Sequence, residues 1–295
     1  MESDIKIINK FEFPDKLLKI KKIPQKMYAI GNIGLLYEEC FGIVGTRNPT
    51  EYGEKTTKIF SKEFALRDIP IVSGMARGVD EMTHQYILEY QGKTIAVLGC
   101  GLEYYEKHGE NKKIFTNILE NEGLILSEYE LREEGSKENF PKRNRIIAAL
   151  SEGVLVIEAA FRSGSSITAK YVNEYGKIVF CIPGRIDSKK SVGTNILIKK
   201  GGILTTSIED ILSCYPQFAD KKRKSICKNL KKEFVKKIRE EWKEIYDILK
   251  EGECSLENLQ IKTQKDIRTL IKIVSEMEIE GVIEQEIGIG YKLKK

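Results

Sequence analysis

Nowhere in the 295 residues does an apolar run approach the ~20 residues that a bilayer-crossing helix needs. The N-terminus, rich in Lys and Glu, lacks the apolar stretch of a signal peptide, so a cytoplasmic protein without membrane contact is expected. Histidine is scarce, with only His84 and His108, and the six cysteines (Cys40, Cys100, Cys181, Cys214, Cys227 and Cys254) form no Cys-x-x-Cys pair. A structural zinc site needs ligands clustered at such short spacing. No metal is therefore expected, and the thiols read as small buried residues in a reducing compartment. There is no Gly-x-x-x-x-Gly-Lys-Ser/Thr loop, no Gly-x-Gly-x-x-Gly after the first apolar run, and no carboxylate pair with an obvious base. No cofactor is expected.

What is present fits a globular protein: 41% hydrophobic and 32% charged residues, with a mean hydropathy of -0.32. The net charge of +5 is unevenly spread. Lys221 to Lys237 hold nine basic residues and one acidic, and residues 238–295 hold ten basic and thirteen acidic, which leaves residues 1–220 neutral. A polyanion bound by the larger part must meet a focused cluster, not a general field.

Short β-branched runs recur from Phe41 to Thr205, separated by segments of helical periodicity such as Glu54 to Arg67. This alternation predicts an α/β domain with a mostly parallel sheet and helices on both faces. Ligands on such sheets bind at the carboxyl ends of the strands. The expected organisation is an N-terminal segment (1–38) packing on the main domain (39–215), a basic linker (216–237) and a small winged-helix domain (238–295). In the last, helices are expected near Ser255 to Gln260 and Asp266 to Ile279, followed by two short strands.

Five strand-end turns hold the candidate chemistry. Gly45-Thr46-Arg47 offers close backbone approach and a planar guanidinium, though it reads equally as a turn with a solvated arginine. Ser73-Gly74-Met75-Ala76-Arg77-Gly78-Val79-Asp80 opens a helix whose amides favour anions, with Ser73 adding a hydroxyl and Asp80 placed as N-cap. His84 has no partner that would make it a base and reads as packed. Phe140-Pro141-Lys142-Arg143-Asn144-Arg145 puts three cations at a helix start, where the dipole disfavours them by about 0.3–1 kcal/mol each unless an anion is bound. Ser163-Gly164-Ser165-Ser166 opens another helix beside Arg162, and Pro183-Gly184-Arg185 ends the next strand. Glu158, and less so Glu128, are the acidic groups placed for chemistry.

The order and identity of these motifs resemble the DprA/Smf family. They are Ile43-Val44-Gly45-Thr46-Arg47, Ser73-Gly74-x-Ala76-x-Gly78-Val79-Asp80, Leu98-Gly99-x-Gly101-Leu102, Ser127-Glu128-Tyr129, Phe140-Pro141-x-Arg143-Asn144-Arg145, Ser163-Gly164-Ser165 and Pro183-Gly184. The resemblance implies an extended Rossmann-like fold and a homodimeric, non-enzymatic protein that captures single-stranded DNA along the sheet's carboxyl edge. It further implies loading of a RecA-type recombinase onto DNA taken up in natural transformation. Carried over by position, Arg47 grips a phosphate, Ser73, Gly74, Ser163, Gly164 and Ser165 supply donors, and Arg143 and Arg145 form a basic wall with Lys142. Asn144 orients them or bonds a base. Phe140 reads either as a base-stacking platform or as a core aromatic. Lys107, Arg162, Lys265, Arg268 and Lys272 are secondary candidates, the last three expected on one face of a recognition helix.

Fewer than 45 residues precede Gly45, so the N-terminal helical module that family members often have is expected to be absent. The sequence also departs from the family pattern in Tyr104-Tyr105-Glu106-Lys107-His108-Gly109 standing where a Tyr-Pro loop is usual, and in Ala149 for a glycine. A rival reading is a nucleotide-processing enzyme resembling the phosphoribohydrolases of nucleoside monophosphates. Their Pro-Gly-Gly-x-Gly-Thr-x-x-Glu is here Ser163-Gly164-Ser165-Ser166-Ile167-Thr168, without the acidic partner. A free-nucleotide sensor would share the same pocket chemistry.

Overall fold

The computed structural model describes residues 5–161, 163–219, 240–279, 282–286 and 290–293. Two compact units divide the chain, residues 1–224 and 225–295.

In the first unit the strands are β1 (Lys6–Asn9), β2 (Lys26–Gly31), β3 (Cys40–Gly45), β4 (Ile71–Ser73), β5 (Thr94–Leu98), β6 (Leu124–Ser127), β7 (Ser151–Ile157), β8 (Ile178–Cys181) and β9 (Ile203–Leu204). Its helices begin with α1 (Asp15–Leu18), α2 (Glu51–Leu66), α3 (Val79–Glu89), α4 (Leu102–His108) and α5 (Lys112–Glu120). They continue with α6 (Asn139–Leu150), α7 (Gly164–Glu174), α8 (Val192–Lys199), α9 (Ile208–Leu212) and α10 (Pro216–Ala219). One sheet joins the nine strands in the order β1-β2-β6-β5-β4-β3-β7-β8-β9. From β6 to β9 all neighbours are parallel, while β2 runs antiparallel to both β6 and β1.

The apolar runs are strands because both faces of the sheet are covered, so alternate side chains enter two different cores. Val44, Val72, Val97, Val154 and Val156 meet Ile146 and Leu150 of α6 and Ala169 and Val172 of α7 on one face. Their neighbours Ile43, Ile71, Leu155 and Ile157 meet Phe60 and Phe64 of α2 and Ile87 of α3 on the other. The sequence reading places no strand before Phe41. Nevertheless Met27, Tyr28, Ala29 and Ile30 are buried in β2, pairing with β6 beyond the parallel set. It also puts Phe218 in the linker, whereas this side chain is fully buried and lies edge-on to Phe41 at 6.4 Å. The basic stretch Lys221 to Lys237 lies outside the described residues.

The second unit holds α11 (Glu240–Glu251), α12 (Leu256–Thr263), α13 (Ile267–Ile279), β10 (Ile283–Glu286) and β11 (Gly290–Leu293). Its core is Trp242, Ile245, Leu249, Leu259, Leu270, Val274 and Met277, and β10 pairs antiparallel with β11. Ser255 caps α12 by accepting the Asn258 amide at 3.2 Å. Among the described residues no helix is long and apolar enough to cross a membrane, and no group of three or more His, Cys, Asp or Glu could hold a metal ion.

Candidate nucleic-acid interface

The strand order reverses at β3 and β7: the chain leaves β3 for α2 on one face of the sheet and β7 for α7 on the other. Diverging connections leave a crevice outside the carboxyl ends of those strands. A cleft of about 400 Å³ occupies it, lined by the loops after β3, β4 and β7 and by the start of α6. Among the described residues three cations, Arg47, Lys137 and Arg143, line it against one carboxylate, Asp80.

Arg47, exposed just past β3, holds its guanidinium carbon 5.7 Å from the centre of the Phe140 ring. Phe140 is half-buried in the first turn of α6, and its ring rests on the backbone at Gly99, where a Cβ would meet Cδ1 at 2.6 Å. Only glycine there leaves room for the ring in this position beside Arg47. Lys137 is exposed in the loop leading into α6. Sequence reasoning missed it because it precedes the Phe140-Pro141 motif. Its signal was a cation three residues before the aromatic at a helix start.

Arg143 forms the floor and is 3% exposed. Its Nη1 donates to the carbonyls of Gly74, at 2.5 Å, and of Val97, and its Nε donates to Asn144 Oδ1 at 3.1 Å. A Cβ on Gly74 would sit 2.6 Å from both Arg143 Nη2 and Asp80 Oδ2, so glycine is what lets these charges close on each other. Asp80 differs from its expected role as N-cap. Gly78 takes that position at φ 89°, and Asp80, one residue inside α3, accepts the amides of Gly45, Gly74 and Ala76 beside Arg143. One carboxylate thus ties the ends of β3 and β4 together. Burial pushes it up to about 6 against the pull of Arg143.

The third wall is the start of α7. Ser163 caps it, accepting the Ser166 amide at 3.4 Å, and its Oγ lies 2.8 Å from that of Ser165 and 3.1 Å from that of Ser166. A Cβ on Gly164 would meet nothing within 4 Å, so the backbone there opens to the cleft. Asn144 joins this wall to α6 through Nδ2, which donates to the Gly164 carbonyl at 3.3 Å. Amides and hydroxyls at a helix start suit an anion.

Other expected residues are not gathered here. The Ser73 hydroxyl is buried and donates to the Ile43 carbonyl at 2.7 Å, so it braces two strands and does not face a ligand. Arg145 turns away from the cleft: it grips both Glu128 oxygens, at 2.5 and 2.6 Å, and donates to the Lys22 carbonyl at 3.1 Å. Its place in a basic wall is thereby corrected, because successive residues of α6 point about 100° apart. Lys142 is exposed and pairs with Glu138 at 3.7 Å. Lys107 is exposed on α4, away from the cleft lining. Arg162 lies outside the described residues. Lys265 precedes α13, where a helical face was expected, and pairs with Glu244 at 2.9 Å; Arg268 and Lys272 are exposed on α13.

The acidic candidates are equally engaged. Glu158 accepts the Thr50 amide at 2.8 Å and its hydroxyl at 2.5 Å. His84 is buried with Nδ1 2.7 Å from Thr94 Oγ1, and burial lowers it to about 3. A larger cleft of about 600 Å³ lies by the amino ends of the strands. Its two half-buried cations already donate to backbone carbonyls, Lys16 to that of Glu38 and Lys177 to those of Ala148, Ala149 and Ser151, so the carboxyl-edge cleft is the better candidate.

Comparison with known proteins agrees with the motif reading. The family model of DNA recombination-mediator protein A matches residues 4–216. Protein Smf of Escherichia coli K12 is 40% identical over 200 residues, 68% of this chain and 53% of that protein, so the match spans about half its length. The DNA processing protein DprA of Streptococcus pneumoniae R6 is 40% identical over 202 residues, 68% of this chain and 70% of that one. An X-ray structure of DprA from that species gives a TM-score of 0.66 at 36% identity, over 71% of this chain and 74% of the other. DNA processing protein A of Helicobacter pylori, described for its unique single-stranded DNA binding mode, gives 0.65 at 32% identity, over 72% and 96%. This chain belongs to the DprA/Smf family, that of DNA recombination-mediator protein A.

Proposed function

We propose that the carboxyl-edge cleft binds single-stranded DNA, that the protein is a non-enzymatic homodimer, and that it hands captured strands to a RecA-type recombinase during DNA uptake. The second unit, three helices and an antiparallel hairpin, acts in this reading as a winged helix. The observation that carries the DNA assignment is the exposed Arg47 guanidinium lying over Phe140 at the point where the strand order reverses. An aromatic face stacks on any unpaired base, and a guanidinium beside it takes the adjoining phosphate. Ser163, Gly164 and Ser165, which line the same cleft, offer a second phosphate contact, and Asn144 a base or sugar contact. The Helicobacter pylori relative supports the choice of single strands. A hydrolytic reading needs a carboxylate free to move a proton, and here Asp80, Glu128 and Glu158 are each held by cations, amides or hydroxyls.

Fluorescence anisotropy with an oligothymidine and with a duplex of equal length, across a salt series, tests this reading. The single strand is expected to bind at least tenfold more tightly than the duplex, with affinity falling as salt rises by roughly 0.7 log units per log unit for each phosphate contacted. Duplex preference, or base released from nucleoside monophosphates, contradicts it.

A further inference from the structure

The second unit buries its core aliphatics almost completely, yet leaves Ile261, Ile267 and Ile271 exposed at 73%, 39% and 48%. Ile261 stands in the last turn of α12. Ile267 and Ile271 stand one turn apart on α13, across a connection of three residues. Single exposed apolar residues are ordinary, but here three fall within the eleven residues from Ile261 to Ile271 at one helix-turn-helix corner. Lys262, Arg268 and Lys272 are interleaved with them and exposed. Asp266, the acidic residue of this corner, is occupied as the cap of α13: it accepts the amides of Arg268 and Thr269 at 3.0 and 3.1 Å, and the Thr269 hydroxyl. Glu257 lies in the first turn of α12, and Glu276 and Glu278 lie in the last turn of α13. The corner is therefore basic and apolar at once, within a unit whose residues 238–295 carry more acidic than basic side chains.

A helix that reads duplex DNA fills its exposed opening turns with side chains that hydrogen-bond to base edges and phosphates. Isoleucine can do neither, and at Ile267 and Ile271 it occupies those turns of α13. Apolar burial flanked by cations suits a peptide with apolar side chains between carboxylates. We propose that the face formed by Ile261, Ile267 and Ile271 with Lys262, Arg268 and Lys272 docks an acidic segment of a partner protein, with that segment's apolar side chains covering the isoleucines. This holds independently of where single-stranded DNA binds.

A phage-displayed library of random dodecapeptides selected on the full chain provides the test. Enriched sequences are expected to combine Asp or Glu with at least two large apolar residues. A synthetic copy is expected to bind at least tenfold more weakly to Ile267→Ser/Ile271→Ser and to Arg268→Ser/Lys272→Ser. These positions are exposed, so both variants should fold and keep their affinity for oligothymidine. Absence of acidic, apolar sequences from the selection, or binding unchanged in the isoleucine variant, overturns the proposal. Displacement of the peptide by duplex DNA also overturns it, assigning the face to nucleic acid.

Discussion

Arg143→Ala is expected to destabilise the first unit by about 3–5 kcal/mol, the range for removing one partner of a buried charge pair. The guanidinium is 3% exposed and holds the carbonyls of Gly74 and Val97, the ends of β4 and β5, while facing Asp80. Its loss removes a donor from both carbonyls and leaves a buried carboxylate without this counter-charge. Urea denaturation followed by circular dichroism reads the effect as a lower midpoint. Lys142→Ala, one residue away but exposed, should stay within about 0.5 kcal/mol of the parent. Equal midpoints for Arg143→Ala and the parent would contradict the structural role. Any loss of DNA binding in Arg143→Ala is for this reason a poor measure of phosphate contact.

The second large effect is on pH. Asp80 ionises near 3.8 when unfolded and near 6 when folded, because burial disfavours its charge more than Arg143 and the amides of Ala76, Gly45 and Gly74 favour it. Between those values unfolding releases a proton, so stability falls as pH rises. The contribution is fully present below about pH 4 and is lost by the time pH passes 6, a difference of about 3 kcal/mol at 1.36 kcal/mol per unit. Carboxylates such as Asp210 and Asp266, lowered by the hydrogen bonds they accept, pull the other way. The comparison with Asp80→Asn isolates the term: the Tm of the variant minus that of the parent should grow as pH rises from about 4 to 7. Parallel Tm curves would show that Asp80 does not titrate in this window.

Much of this architecture was legible in the sequence because the parallel strands are short apolar runs ending in small residues, a pattern that follows from burial on both faces. Strands β1 and β2 were not, since antiparallel additions at a sheet edge carry no strand-end motif of their own. The site was legible as a set of turns but not as a set of contacts. Three cations at the start of α6 implied an external anion through the helix dipole. Folding supplies internal ones instead: Glu128 for Arg145, Glu138 for Lys142 and Asp80 beside Arg143. Only the rotation of the helix, which periodicity does not phase, decides which cation reaches the cleft. The same holds at Asp80, where the positive φ of Gly78 shifts the cap by two residues. Lys137 was passed over because its signal, a cation three residues before the aromatic at a helix start, gains weight only once α6 is placed against β3.

These assignments leave Arg47 and Lys137 as the cations that can be removed without disturbing the fold, since both are exposed. Oligothymidine affinity of Arg47→Ala/Lys137→Ala, measured beside the parent over a salt series, therefore tests the central claim most directly. The account predicts affinity reduced at least tenfold, a shallower salt dependence and an unchanged urea midpoint. Parental affinity and salt slope in the double variant would contradict the placement of single-stranded DNA in this cleft.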